Sequence, residues 1–272
     1  MTEKTEPLKY YEYFESGLKR FYDNDFKGAI KDSTKAIEMN PDYDLLYALR
    51  GNARLNIEDY KGAIEDLTQH LEMTPDNWDA YFLRGVSRAN LNEYNSAIED
   101  FTKTVEINPD KKEAYFLRGI LKIDIKEYKS AIADFNKNIE LNPMDFDAYY
   151  NRAIAKTEVK EFSNAIADCT EALNINPNFA EAYYYRGFIK SITRQSKSAI
   201  SDFTKAIAID NKHAYAYYYR GKTKFKIKDY SGTIEDFKKA IEIDPKINET
   251  TDIGFWIDEA YTDLYNDTHF KE

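Results

Sequence analysis

A single cysteine, Cys169, cannot form an intramolecular disulfide, so the 272-residue chain reads as a protein of a reducing, cytoplasmic compartment. Histidine is scarce too. His70, His213 and His269 stand in unrelated contexts with no metal-ligand spacing, so no metal is expected. There is no glycine-rich phosphate loop and no nucleophile motif, and the many carboxylates fall at repeating positions; neither a cofactor nor catalysis is expected. No apolar run is long enough to cross a bilayer, and the opening stretch MTEKTEPLK has no apolar signal region. Positive charge is in deficit, with 38 Lys and Arg against 48 Asp and Glu, a net charge of -10. That balance argues against nucleic acid and anionic membranes, and for a basic or apolar partner. The triplets Asn248-Glu249-Thr250 and Asn266-Asp267-Thr268 read as chance matches to a glycosylation signal.

What the chain does have is a period. Hydrophobic residues make up 43%, enough for a continuous core, and they recur with a fixed cadence. Tyr-x-x-Arg-Gly is followed by a turn, an aromatic residue, Ile-x-Asp-Phe and a closing Pro, as in Trp78 to Pro109 and Ala214 to Pro245. The copies begin at Tyr10, Asp44, Trp78, Lys112, Phe146, Ala180 and Ala214, every 34 residues, with no insertion. Such a period signals stacked supersecondary units, each burying its apolar face against its neighbours. Residues 1–9, polar and interrupted by Pro7, read as a lead-in.

Numbering each copy from slot 1, slot 4 is always Tyr and slot 21 always Ile. Slot 8 is Gly except for Ala153, and slot 20 is Ala except for Thr233. Slots 4, 8 and 12, and then 20, 21, 24, 27 and 28, follow helical spacing, so each copy predicts a helical hairpin. Small residues at slots 8 and 20 let the two helices approach, and large ones at slots 4, 24 and 28 fill the space beside the contact. Pro at slot 32 ends the second helix in six copies; Asn211 replaces it in the sixth. That copy also turns through Arg194-Gln195-Ser196, which reads either as a softer joint or as drift. Thr251 to Asn266 places Ile253, Trp256, Ala260 and Leu264 on one face and predicts a capping helix; residues 248–272 are read as cap and tail.

These residues resemble the tetratricopeptide repeat, in a Tyr-x-x-Arg-Gly variant, over residues 10–247. The resemblance implies an all-α fold, an α-solenoid of seven antiparallel helix pairs in a right-handed superhelix. It further implies that the first helices line a concave groove holding a peptide or a partner's helix.

Two features compete for the function. The first is a charge ladder: Arg at slot 7 in copies two to seven, Arg or Lys at slot 11, and Asp at slot 23 throughout. Because an acid recurs with each base, the expectation is a structural Arg–Asp bond rather than an anion-binding stripe. The first copy alone has Ser16 at slot 7 and alone lacks a preceding copy, which suggests that each Arg reaches the previous copy's Asp. Cys169, at slot 24 where four other copies have Phe, reads as an inert buried thiol.

The second feature is large residues with no evident packing task on the first helices. In the resembled family, slots 2, 5, 9 and 12 face the groove. The candidate contacts are therefore Phe82, Phe116, Tyr150 and Tyr184 at slot 5 and Ile120 and Ile154 at slot 9. Glu113 and Asp147 at slot 2 edge this strip, and Asn151 at slot 6 could bond a ligand backbone. Such a strip suits a protein or peptide segment with an apolar core and basic flanks. The carboxylate clamp of some family members is not expected: Asn52 stands at slot 9, but slot 5 of that copy is Ala48. Two other readings remain open, a self-assembling homo-oligomer and a small-ligand or peptide sensor. Whether residues 266–272 occupy the groove is also open.

Overall fold

A computed structural model describes residues 6–269, with side chains from 9 to 266. The described residues form helices joined by turns, with no strand. They divide into two compact units, one ending at Leu141 and one beginning at Asn142. The first holds α1 (Glu6–Tyr22), α2 (Phe26–Met39), α3 (Asp44–Asn56), α4 (Tyr60–Met73), α5 (Trp78–Asn90), α6 (Tyr94–Ile107), α7 (Lys112–Asp124) and α8 (Tyr128–Leu141). The second holds α9 (Phe146–Glu158), α10 (Phe162–Ile175), α11 (Ala180–Ile192), α12 (Ser196–Ile209), α13 (Ala214–Lys226) and α14 (Tyr230–Ile243). A short α15 (Ile247–Thr250) and α16 (Ile253–His269) follow. Within each unit every helix packs on the next, the arrangement of an all-α solenoid.

Helix α1 begins at Glu6, inside the stretch read as a lead-in, with Pro7 in a first turn whose N–H groups have no helical partner to lose. Residues 1–5 of that stretch lie outside the described residues, as do 270–272 of the tail and the side chains of 267–269.

The turn inside each hairpin is made by one residue in the left-handed region: Asn24, Glu58, Asn92 and Lys126 in the first unit, Lys160, Arg194 and Lys228 in the second. The next residue's N–H then returns to a carbonyl of the preceding helix, as Asp59 N does to Arg54 O at 2.9 Å. The divergent sixth copy keeps this backbone, with Arg194 at φ 63 and Gln195 N on Lys190 O at 2.8 Å.

The hairpin core rests on slots 8 and 24. A Cβ on Gly85 would meet the Phe101 ring at 2.9 Å, and one on Gly119 would meet Phe135 at 2.9 Å, so these rings occupy the space a side chain would need. Ala153 departs from glycine where the facing residue is Cys169 instead of Phe, and both are fully buried. The two exceptions compensate each other.

Helix α16 closes the second unit. Ile253 and Ala260 are fully buried, and Trp256 stands edge-on to Phe225 with ring centroids 5.0 Å apart. Asp252 accepts a hydrogen bond from the Tyr218 hydroxyl and pairs with Lys222 Nζ at 3.3 Å. Partial burial works against the Asp252 charge, but Tyr218 and Lys222 outweigh it and bring the carboxyl down to about 2. No helix among the described residues is long and apolar enough to cross a membrane.

Candidate functional site

The charge ladder is internal to each copy. Arg50 grips Asp66 through Nε and Nη2 at 2.9 and 2.7 Å, and Arg54 Nη1 reaches the same carboxylate at 2.9 Å. Arg118 with Lys122 on Asp134, and Arg186 with Lys190 on Asp202, repeat the arrangement. The expectation that each Arg reaches the previous copy's Asp is therefore corrected. What it reaches in the previous copy is slot 25: Arg50 Nη1 donates to Thr34, Arg84 to Thr68 and Arg118 to Thr102, at 3.2, 3.0 and 3.0 Å. One planar guanidinium thus ties its own hairpin together and staples it to the one before, a geometry a Lys ammonium cannot reproduce. The first copy has no earlier Thr to reach, and there Ser16 donates to Asp32 at 2.7 Å. With the ladder Asp of copies two to seven each held by two cations, and Asp32 by Ser16 and Arg20, the ladder is structural.

The candidate contacts fall in two sets, one in each unit. In the first unit, α5 carries Phe82 and α7 carries Glu113, Phe116 and Ile120. Phe82 and Phe116 are half-buried against Phe101 and Phe135, with centroids 5.8 and 6.0 Å apart. The Lys111 ammonium lies 4.5 Å from the Phe82 centroid and 3.3 Å from the exposed Glu113 carboxylate. Burial pulls the Glu113 carboxyl upward, but its own backbone N–H and Lys111 hold it below the usual carboxylate range.

In the second unit, α9 carries Asp147, Tyr150, Asn151 and Ile154, and α11 carries Tyr184. Tyr150 stands edge-on to Phe179 and Tyr185 at 5.1 and 5.8 Å. Tyr184 packs on Phe203 and the His213 ring at 6.2 and 4.6 Å. Burial pushes both phenols well above their ordinary value. Asp147 is raised by burial and by the nearby Asp145 and Glu181. The Asn151 amide nitrogen is already engaged, donating to Asp147 O on its own helix at 2.8 Å.

The premise that these aromatics lack a packing task is therefore corrected. Phe82, Phe116 and Tyr184 rest on slot 24 of their own hairpins, and four of the slot-5 rings meet slot 34. The pairs are Phe14 with Tyr43, Phe82 with Lys111, Tyr150 with Phe179 and Tyr184 with His213. Slot 34 escaped the sequence reading because its residues, here Tyr, Lys, Phe and His, share no chemistry. Only their constant distance from slot 5 could have revealed them.

His213 also caps α13, its Nδ1 accepting from Ala216 N at 3.2 Å, and burial lowers it below 6.5 against the pull of Asp210 and Glu181. Burial pushes the Cys169 thiol up to about 12, out of reach of thiolate chemistry near neutral pH. Among the described residues no group of three His, Cys, Asp or Glu could hold a metal ion.

Comparison with known proteins places this geometry. Family models described as tetratricopeptide repeat match residues 48–112, 112–144, 146–179 and 214–247. No curated protein sequence matches the chain. Among solved structures, the C-terminal part of a repeat-containing protein from Cytophaga hutchinsonii is similar, at TM-score 0.74 and 18% identity over 92% of this chain and 99% of that one. A tetratricopeptide repeat protein from Parabacteroides merdae is similar at TM-score 0.63 and 22% identity, over 93% and 99% of the two chains. YrrB, described as having an unusual peptide-binding site, is similar at TM-score 0.58 and 23% identity, over 67% of this chain and 94% of its own. At these identities the likeness is one of fold.

Proposed function

The chain belongs to the tetratricopeptide repeat family, and from that premise we propose that it is a non-catalytic scaffold whose first helices hold a segment of a partner protein. The observation that carries this reading is a pair of half-buried rings on each unit. Phe82 and Phe116 on one unit, and Tyr150 and Tyr184 on the other, are gripped from below yet keep exposed area. Rings held in this way lose little side-chain entropy on binding, so a partner gains apolar burial without the receptor ordering itself. Ile120 and Ile154 extend the apolar area, Glu113 and Asp147 supply negative edges, and the Asn151 carbonyl is the amide group left to meet a ligand backbone. The segment that fits is apolar with basic flanks. A single buried cysteine supports a reducing compartment.

The test is a peptide-display selection on the wild type, counter-selected against a folded Phe116→Glu, Tyr150→Glu double variant. Peptides enriched on the wild type alone, sharing an apolar core and Lys or Arg flanks, are the expected outcome; identical enrichment on both proteins overturns it.

Self-association is a second reading, favoured by Phe255 and Tyr261 on α16, which are 58% and 47% exposed. It predicts a mass that grows with concentration and returns to the monomer value with Phe255→Glu. A constant monomer mass in the wild type removes it.

A further inference from the structure

The α3–α4 hairpin breaks the slot-5 arrangement. Its slot 5 is Ala48, and its slot 34, Asn77, is committed elsewhere. The Asn77 Oδ1 accepts from Asp79 N and Ala80 N at 3.0 Å each, and its Nδ2 lies 2.8 Å from His70 Nε2. Slot 24 is Leu67, shorter than the Phe of α6, α8, α12 and α14. Neither ring nor cover is present, and a pocket of about 230 Å³ opens there, lined by Phe14, Ala48, Leu49, Leu67, Leu83 and Asp79 among others. The other copies carry Phe or Tyr at slot 5, so this pocket opens at the slot where they place a ring.

We infer that this pocket is the anchor site for one large apolar side chain, Phe or Leu, carried by a partner segment with Lys or Arg beside it. The inference deepens the partner-segment reading above and rests on it. Size limits the occupant: an apolar cavity of about 150 Å³ accepts benzene, whereas drug-sized ligands need about 300–1,000 Å³. The site therefore takes a single ring or branched chain. Charge selects its neighbour: among the described residues Asp79, exposed, is the one carboxylate lining the pocket, and no Lys or Arg of those residues lines it. A cation beside the anchor meets that carboxylate, and an acidic flank is repelled by it.

The test is an NMR titration of the full chain, methyl-labelled at leucine, with three capped tripeptides: Arg-Phe-Arg, Arg-Ala-Arg and Glu-Phe-Glu. Arg-Phe-Arg is expected to shift the Leu49 and Leu67 methyl signals saturably, with the other two at least tenfold weaker. Ala48→Phe, which copies the residue other repeats carry, is expected to abolish the shifts while methyl signals far from α3 stay in place. Asp79→Asn is expected to weaken Arg-Phe-Arg several-fold without altering the fold. Phe116→Glu is expected to change nothing at Leu49 and Leu67, so failure of the pocket and failure of the aromatic strip are distinguishable. Unmoved Leu49 and Leu67 signals, shifts that persist in Ala48→Phe, or equal binding of Glu-Phe-Glu each overturn the proposal.

Discussion

The α3–α4 and α11–α12 hairpins have the same skeleton and different contents. In both, one Asp is held by a bidentate Arg and a second cation, Asp66 by Arg50 and Arg54 and Asp202 by Arg186 and Lys190. In both, a left-handed residue makes the turn, Glu58 or Arg194. On the exposed side they part: Tyr184 with His213 over Phe203 fills the space in one, while Ala48 with Asn77 over Leu67 leaves a pocket in the other. The slots that build the hairpin are thus separate from the slots that decide what its surface can hold.

The largest effect comes from breaking the skeleton the two hairpins share. Asp66→Ala and Asp202→Ala each leave two cations facing an empty site, and each is expected to cost about 3–5 kcal/mol in urea unfolding. The two losses should be alike, because Arg50 and Arg186 are buried to a similar degree, with 14% and 16% of each side chain exposed. Asp32→Ala should cost less, about 1–3 kcal/mol, since its partners are Ser16 and Arg20, whose side chain is 47% exposed. Equal losses at Asp32 and Asp66 would show that the guanidinium staple contributes nothing of its own.

A second, smaller effect probes the contents. Cys169→Phe should destabilise by about 1–3 kcal/mol through overpacking against Ala153, and Ala153→Gly should restore most of the loss in the double variant. Simple additivity of the two changes would refute the compensation between slots 8 and 24.

The smallest effect equalises the two hairpins at slot 34. His213 accepts the α13 cap bond only when neutral, and its folded pKa lies below 6.5. Its contribution is therefore full above pH 6.5 and declines as the pH falls from there towards the folded value, because the unfolded chain then binds the extra proton. The cap is worth about 1 kcal/mol. His213→Asn copies Asn77 and should flatten this part of the stability–pH curve; an unchanged curve would remove His213 as its source.

The period of 34 residues carried most of the fold, because slots 4, 8, 20 and 21 repeat a residue type and so report their own environment. The partner of each ladder Arg was not legible, since slot 23 of the same copy and slot 23 of the previous one are chemically identical. The Thr at slot 25 of the preceding copy was the available clue, standing ahead of five of the six ladder Arg residues, with Asn136 ahead of Arg152. The candidate rings were visible by size, but their support was not. Slot 34 varies between Tyr, Asn, Lys, Asp, Phe, His and Ile, and a column without a common chemistry carries no periodic signal. The Ala48 pocket was invisible for a related reason: it is a property of three choices, at slots 5, 24 and 34, the last two lying 19 and 29 residues beyond the first.

The pairing of Ala153 with Cys169 has a consequence for how such a chain can be recombined. A crossover placed inside a hairpin would set Ala153 against a phenylalanine from another copy, or a glycine against Cys169, producing a clash or a void. A crossover placed between hairpins meets the Arg-to-Thr staple, which is the same at Thr34, Thr68 and Thr102. Whole hairpins are therefore the units in which these sequences can be duplicated, shuffled or grafted, with the Arg-to-Thr seams of the first unit as shared connectors.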